Sequence, residues 1–69
     1  MVRRPVDSSM ATSIGYDPES ATLEIEFRSG EIWQYYGVQE NVFYEMKSVS
    51  IGKYFQLMIK NKYKEKRIR

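Results

Sequence analysis

Three sets of residues in this 69-residue chain have the types and spacing that chemistry needs. The first is Ser50-Ile51-Gly52-Lys53. A serine that caps a helix leaves main-chain amides pointing outward, a glycine lets an anion come close, and a lysine adds a full positive charge. Ser50, Gly52 and Lys53 therefore form a candidate anion site, although the same residues also make an ordinary helix start and are much less specific than a full phosphate loop. The second set is the basic run at the C-terminal end. Lys60, Lys62, Lys64, Lys66, Arg67 and Arg69, together with Lys53, are candidates to bind nucleic-acid phosphates by counterion release, largely without base preference. A solvated tail or helix face has the same composition. The third set is aromatic: Trp33, Tyr35 and Tyr63 could stack on bases, or bury their large rings in a core.

Catalysis finds little to work with. Ser8, Ser9, Ser13, Ser29, Ser48 and Ser50 are nucleophile candidates, but the chain has no His to activate them. The carboxylate pairs Glu24/Glu26 and Glu40/Glu45 match a solvated surface as well as a general acid–base pair. With neither Cys nor His, the usual metal ligands are missing. No catalytic residue, metal or cofactor is expected, and the chain reads as a non-catalytic binding domain.

Charge is unevenly distributed. Three Arg against eight acids leave −5 in residues 1–45, whereas six Lys and two Arg against one acid leave +7 in residues 46–69. That asymmetry points to an acidic partner such as RNA at the C-terminal end, or to an acidic sheet that mates with the basic helix of a second copy in a homo-oligomer. The basic start, MVRRPVDSS, runs into no apolar stretch, so neither a signal peptide nor a membrane span is expected, and a cytoplasmic location is.

The elements that must position these residues follow from periodicity. Residues 1–8 read as a loose lead-in. Met10–Tyr16 and Thr22–Phe27 alternate as strands around a turn at Pro18, and Leu23, Ile25 and Phe27 share one face. Arg28-Ser29-Gly30 makes a hairpin into a third strand, Glu31–Tyr36. A two-residue turn would set Gln34 among Leu23, Ile25 and Phe27, whereas a three-residue loop with Gly30 left-handed sets Trp33 and Tyr35 there. The aromatic pair buries more area and leaves no amide to satisfy, which favours the second register. It also leaves Glu24 and Glu26 on an open face beside Ile32 and Tyr36.

Gln39–Val49 reads as a short helix with the stripe Val42, Phe43, Met46 and Val49. In Ser50–Lys64 a second helix buries Ile51, Tyr54, Phe55, Met58 and Ile59 and turns Lys53, Lys60 and Lys64 outward. Asn61 suits a helix end, and beyond it residues 62–69 become a basic tail. The expected architecture is a single α+β domain: a three-stranded antiparallel meander followed by two helices on one sheet face.

The stretches PVDSS (5–9), SIGYD (13–17), LEIEF (23–27), WQY (33–35) and SIGKYF (50–55), with Ile59, Tyr63 and Arg67-Ile68, stand in a distinctive order and spacing. In these the chain resembles the KTSC domain family, a small bacterial and phage domain found at the C-terminus of some lysyl-tRNA synthetases and as stand-alone proteins. Trp33 stands in place of the family's first Tyr of a Tyr-x-Tyr pair, Gln39 in place of a helix-opening Pro, Gln56 in place of an Asn, and Ala11 in place of a larger aliphatic. The resemblance implies an architecture and suggests RNA binding. The alternatives are a self-associating interaction module and a binder of a small phosphorylated ligand at Ser50–Lys53.

Overall fold

The computed structural model describes residues 1–69. Five strands form one antiparallel sheet in sequence order: β1 (Arg4–Pro5), β2 (Ala11–Asp17), β3 (Thr22–Phe27), β4 (Ile32–Tyr36) and β5 (Lys64–Arg67). Between β4 and β5 the chain makes α1 (Glu40–Ser48) and α2 (Ile51–Tyr54), and α2 runs on as a π-helical turn, Phe55–Ile59. The α+β class and the two helices agree with the sequence. The sheet has five strands rather than three.

Both additional strands lie where the sequence suggests loose chain. The lead-in holds β1, which pairs with β2 through Arg4↔Ile14 and Pro5↔Ser13. The basic tail holds β5, which pairs with β4 from Trp33↔Arg67 to Tyr36↔Lys64. These are edge strands, and they carry edge chemistry: Pro5 in one, and Lys-Glu-Lys-Arg in the other, block further strand pairing.

The β3–β4 register is the one that burial of aromatic area favours. Leu23 pairs with Tyr35 and Ile25 with Trp33, around a loop in which Gly30 has φ +96°. Gly30 N–H donates to Phe27 O at 2.9 Å and Phe27 N–H to Glu31 O at 2.8 Å, closing the three-residue connection. Leu23, Ile25, Tyr35, Val38, Phe43, Met46, Phe55 and Ile59 are buried between this sheet face and the helices. Tyr16 stacks on Phe43 with centroids 5.1 Å apart, while Phe55 meets Phe27 and Tyr35 edge-on, each at 5.5 Å.

The closing helix ends at Ile59, two residues before the Asn61 stop that the sequence suggests. Lys60 N–H reaches back to Phe55 O at 2.8 Å, a five-residue step that widens the last turn. The wider turn keeps Phe55 and Ile59 buried on one line and leaves Met58 half-exposed. Asn61 then takes φ +62°, reversing the chain into β5. In α1, Phe43 and Met46 are buried as expected, but Val49 lies beyond the helix and is exposed.

The sheet face away from the helices is not open. Glu24 is only 4% exposed and Ile32 only 3%. Gly15 lies beside Glu24 in the sheet, and a Cβ there would come within 2.5 Å of Val2 O, so the missing side chain is what lets residues 2–3 cross the face. The crossing carries the Arg3 guanidinium to Glu24, where it forms a part-buried ion pair, and Arg3 Nε also donates to Ser13 Oγ at 3.2 Å. Gln34 Nε2 donates to the other Glu24 oxygen at 2.7 Å, and Tyr36 O–H donates to Gln34 Oε1 at 2.8 Å. Glu26 accepts from Ser13 Oγ at 2.8 Å and faces Arg69 at 3.6 Å. Carboxylates expected in solvent are thus held in a paired network, as a buried charge must be.

Removing Arg3 leaves the Glu24 carboxylate under one amide. Arg3→Ala should cost about 2 kcal/mol, lowering the melting temperature by roughly 10 °C for a domain of this size. Arg3→Ala/Glu24→Gln should be more stable than Arg3→Ala alone. Gly15→Ala should push the crossing segment away and show little further loss when combined with Arg3→Ala; full additivity in thermal melts would disprove the link between them.

Candidate nucleic-acid interface

Between the helix layer and one end of the sheet lie two adjoining hollows with Met10 and Gln56 in both linings, together the trench. The larger, about 740 Å³, is bounded by Ser8 and Ser9 after β1 and by Ser50, Gly52 and Lys53 of α2. The smaller, about 490 Å³, lies between the β3–β4 loop and the π-turn, lined by Phe27, Trp33, Tyr35 and Phe55 with Arg28 and Lys60 at its edge. Lys47, Lys53, Arg28 and Lys60 along the trench outnumber its acids, Asp7, Glu31 and Glu65.

The Ser50 start is a capped helix. Ser50 Oγ accepts from Lys53 N–H at 3.4 Å, which occupies one of the amides that an anion would use. Gly52 faces Met10, whose Cβ would lie 3.7 Å from an added Cβ. Asp7 shares the hollow with Lys53. Ser8 Oγ in turn accepts from Met10 N–H at 3.1 Å, so the two serine-led segments pin opposite walls of the trench.

The fold divides the basic candidates. Lys53 and Lys60 line the trench, and Lys62 is exposed in the turn before β5. Lys64 and Lys66 lie opposite Tyr36 and Gln34, on the face that holds Glu24. Arg67 lies beside Trp33 on the helix side and approaches Glu31 at 3.8 Å, while Arg69 approaches Glu26. All five lysines are exposed, and none of them makes an ion pair. The expected basic helix and tail become two surfaces of different make-up, because the helix stops at Ile59 and the tail is strand β5, whose successive side chains alternate between faces.

The three stacking candidates also part. Tyr35 is buried, with its ring on Phe55. Tyr63 packs partly buried against the core. Trp33 is half-buried in the smaller hollow, and its Nε1–H donates to Glu31 Oε1 at 2.9 Å. Arg28, from the hairpin loop, is a trench cation that the charge run does not reveal; its Nε donates to Ser8 O at 2.7 Å. Lys47 lies over the Phe43 ring at 5.0 Å.

The family model of the KTSC domain matches residues 7–63. The chain belongs to the KTSC family. An uncharacterized protein of Stutzerimonas stutzeri is 38% identical over 61 residues, covering 87% of this chain and 86% of that one. The crystal structure of a KTSC domain protein from Yersinia pestis superposes with a TM-score of 0.94 at 43% identity, covering 99% of this chain and 97% of that one. The structural match thus extends past the family-model boundaries into β1 and β5. Within this KTSC domain, Trp33 and Gln56 line the same hollow. No helix is long and apolar enough to cross a membrane.

The phenols bordering these elements titrate late. Burial, then the Glu65 carboxylate across β4–β5, holds Tyr35 far above the ordinary phenol value of 10.0. Burial also raises Tyr54, with Glu45 adding to it, and Tyr16, with Glu40 and Asp17 adding to it. A phenol raised in the folded state binds its proton more tightly there than in the unfolded chain. Stability is therefore full below pH about 10 and falls as pH rises past it. Denaturant melts should show that fall, with Tyr35 contributing up to about 1.4 kcal/mol per pH unit. Tyr35→Phe should flatten the alkaline slope.

Proposed function

We propose that this KTSC domain is a non-catalytic RNA-binding module that holds phosphates along the trench. The observation that carries the reading is the state of the lysines: Lys53 and Lys60 stand exposed at the trench, free of carboxylate partners, with Arg28 and Lys47 beside them. Free ammonium groups exchange condensed counterions for phosphate at little cost, whereas ion-paired ones must first give up a partner. Lys62, Lys64 and Lys66 extend the positive field around the β5 edge and favour encounter more than contact. The binding is a matter of charge and shape, with no reaction attached.

Two other readings fit less well. A phosphorylated small ligand at Ser50–Lys53 would compete with the serine cap and sit beside Asp7. A homo-oligomer built on an acidic sheet face lacks that face, since Glu24 and Glu26 are engaged within the chain.

Binding of a single-stranded RNA pool, followed by anisotropy over a salt series, tests the reading. The plot of log affinity against log salt should fall linearly, and Lys53→Ala/Lys60→Ala should shallow its slope by about 0.7 per lysine. A slope unchanged in the double variant would move the contact off the trench. Absence of any binding at low salt would end the RNA reading.

A further inference from the structure

The smaller hollow has features that phosphate binding does not use. Its walls are aromatic, its volume of about 490 Å³ is within the ordinary range for small-ligand pockets, and its rim is polar. It also gathers the two least regular pieces of backbone on that side of the domain. Phe55, Gln56 and Lys60 come from the π-helical turn and its end, and Asn61 holds a left-handed conformation next to them. A π-turn in a helix is uncommon and is often found at functional sites. Here it places two side-chain amides, Gln56 and Asn61, at the mouth of a hollow that contains the half-buried indole of Trp33.

The charges are arranged to suit a flat, neutral group with an anion on each side. Arg28 and Lys60 are at the edge, on the hairpin loop and the helix end respectively. Glu31 is already engaged by the indole N–H and by Arg67. Glu65, exposed on β5, is an acceptor only: it repels phosphate but can accept from an exocyclic amino group. An aliphatic ligand would leave the amides unused, and a bare phosphate would meet the carboxylates.

We propose that this hollow is a pocket for one unpaired nucleobase of an RNA chain, stacked against Trp33 and read at its edge by Gln56 and Asn61, with Arg28 and Lys60 on the flanking phosphates. The assignment rests on the RNA reading above and adds to it a requirement for single strands, because a base inside a duplex cannot enter. Stacking on an aromatic side chain contributes about 1–3 kcal/mol per base.

Trp33 is the only tryptophan of the chain, so its fluorescence reports the pocket directly. The intact protein is titrated with a short single-stranded oligoadenylate and with an RNA duplex of the same length, reading indole emission and RNA anisotropy together. The single strand should quench Trp33 saturably, and the duplex should bind without quenching. Trp33→Phe should weaken single-strand binding by roughly tenfold and leave duplex binding unchanged. Gln56→Phe, at an exposed rim position, should fill the hollow and give the same loss should Trp33→Phe fail to fold. Anisotropy that reports single-strand binding without quenching, or with equal affinity in the folded variants, overturns the pocket and leaves phosphate binding standing. No anisotropy change with either RNA overturns both.

Discussion

The register of the β3–β4 hairpin is the constraint on which the rest of this domain depends. Its loop has three residues because Gly30 adopts φ +96°, which a side chain would oppose. That single geometry decides which of two interleaved sets faces the helices. With it, Trp33 and Tyr35 join Leu23 and Ile25, and Phe55 has rings to pack against. On the other side it aligns Gln34 with Glu24, which gives the buried carboxylate its neutral donor. A one-residue slip would exchange the two sets, placing an amide in the core and indole on the polar side. Core, polar network and trench are therefore consequences of one turn.

Much of the fold was legible because burial leaves a periodic trace. Leu23, Ile25 and Phe27 alternate with glutamates, and Phe43 and Met46 repeat at helical spacing, so their elements could be read directly. The edge strands leave no such trace. Every residue of β5 is exposed, and Lys-Glu-Lys-Arg has no apolar member to alternate with. Its pairing comes from β4 and from the reversal at Asn61, neither of which is a property of the segment itself. Gly15, in mid-strand, was the available sign that another backbone passes close by, and it marks the crossing of Val2 and Arg3. The burial of Glu24 depends on that crossing, so strand alternation alone describes it as solvated.

The candidate interface shows the same division. Lys53, Lys60 and the aromatic positions were visible as residues, but their grouping was not. Sequence proximity joins Lys60 to Arg69, while the sheet sends Lys64 and Lys66 to one face and Arg67 to the other. Conversely, the trench collects Ser8, Arg28 and the Ser50–Lys60 helical segment, three stretches far apart in sequence. The π-turn contributes to this grouping, since it brings Gln56 and Lys60 to a hollow floored by β3 and β4. Charge counting finds the ingredients of such a surface and not its outline.

The placement of β5 has an effect on how the molecule holds together. β4 and β5 are neighbours in space, yet residues 37–63, the whole helical layer, are strung between them. With the last strand paired to β4, the helices form a loop fixed at both ends on the sheet. Exposed, charged and short, β5 acts as the clasp of a strap: it adds nothing to the core, but it limits how far α1 and α2 can lift from the sheet beneath them.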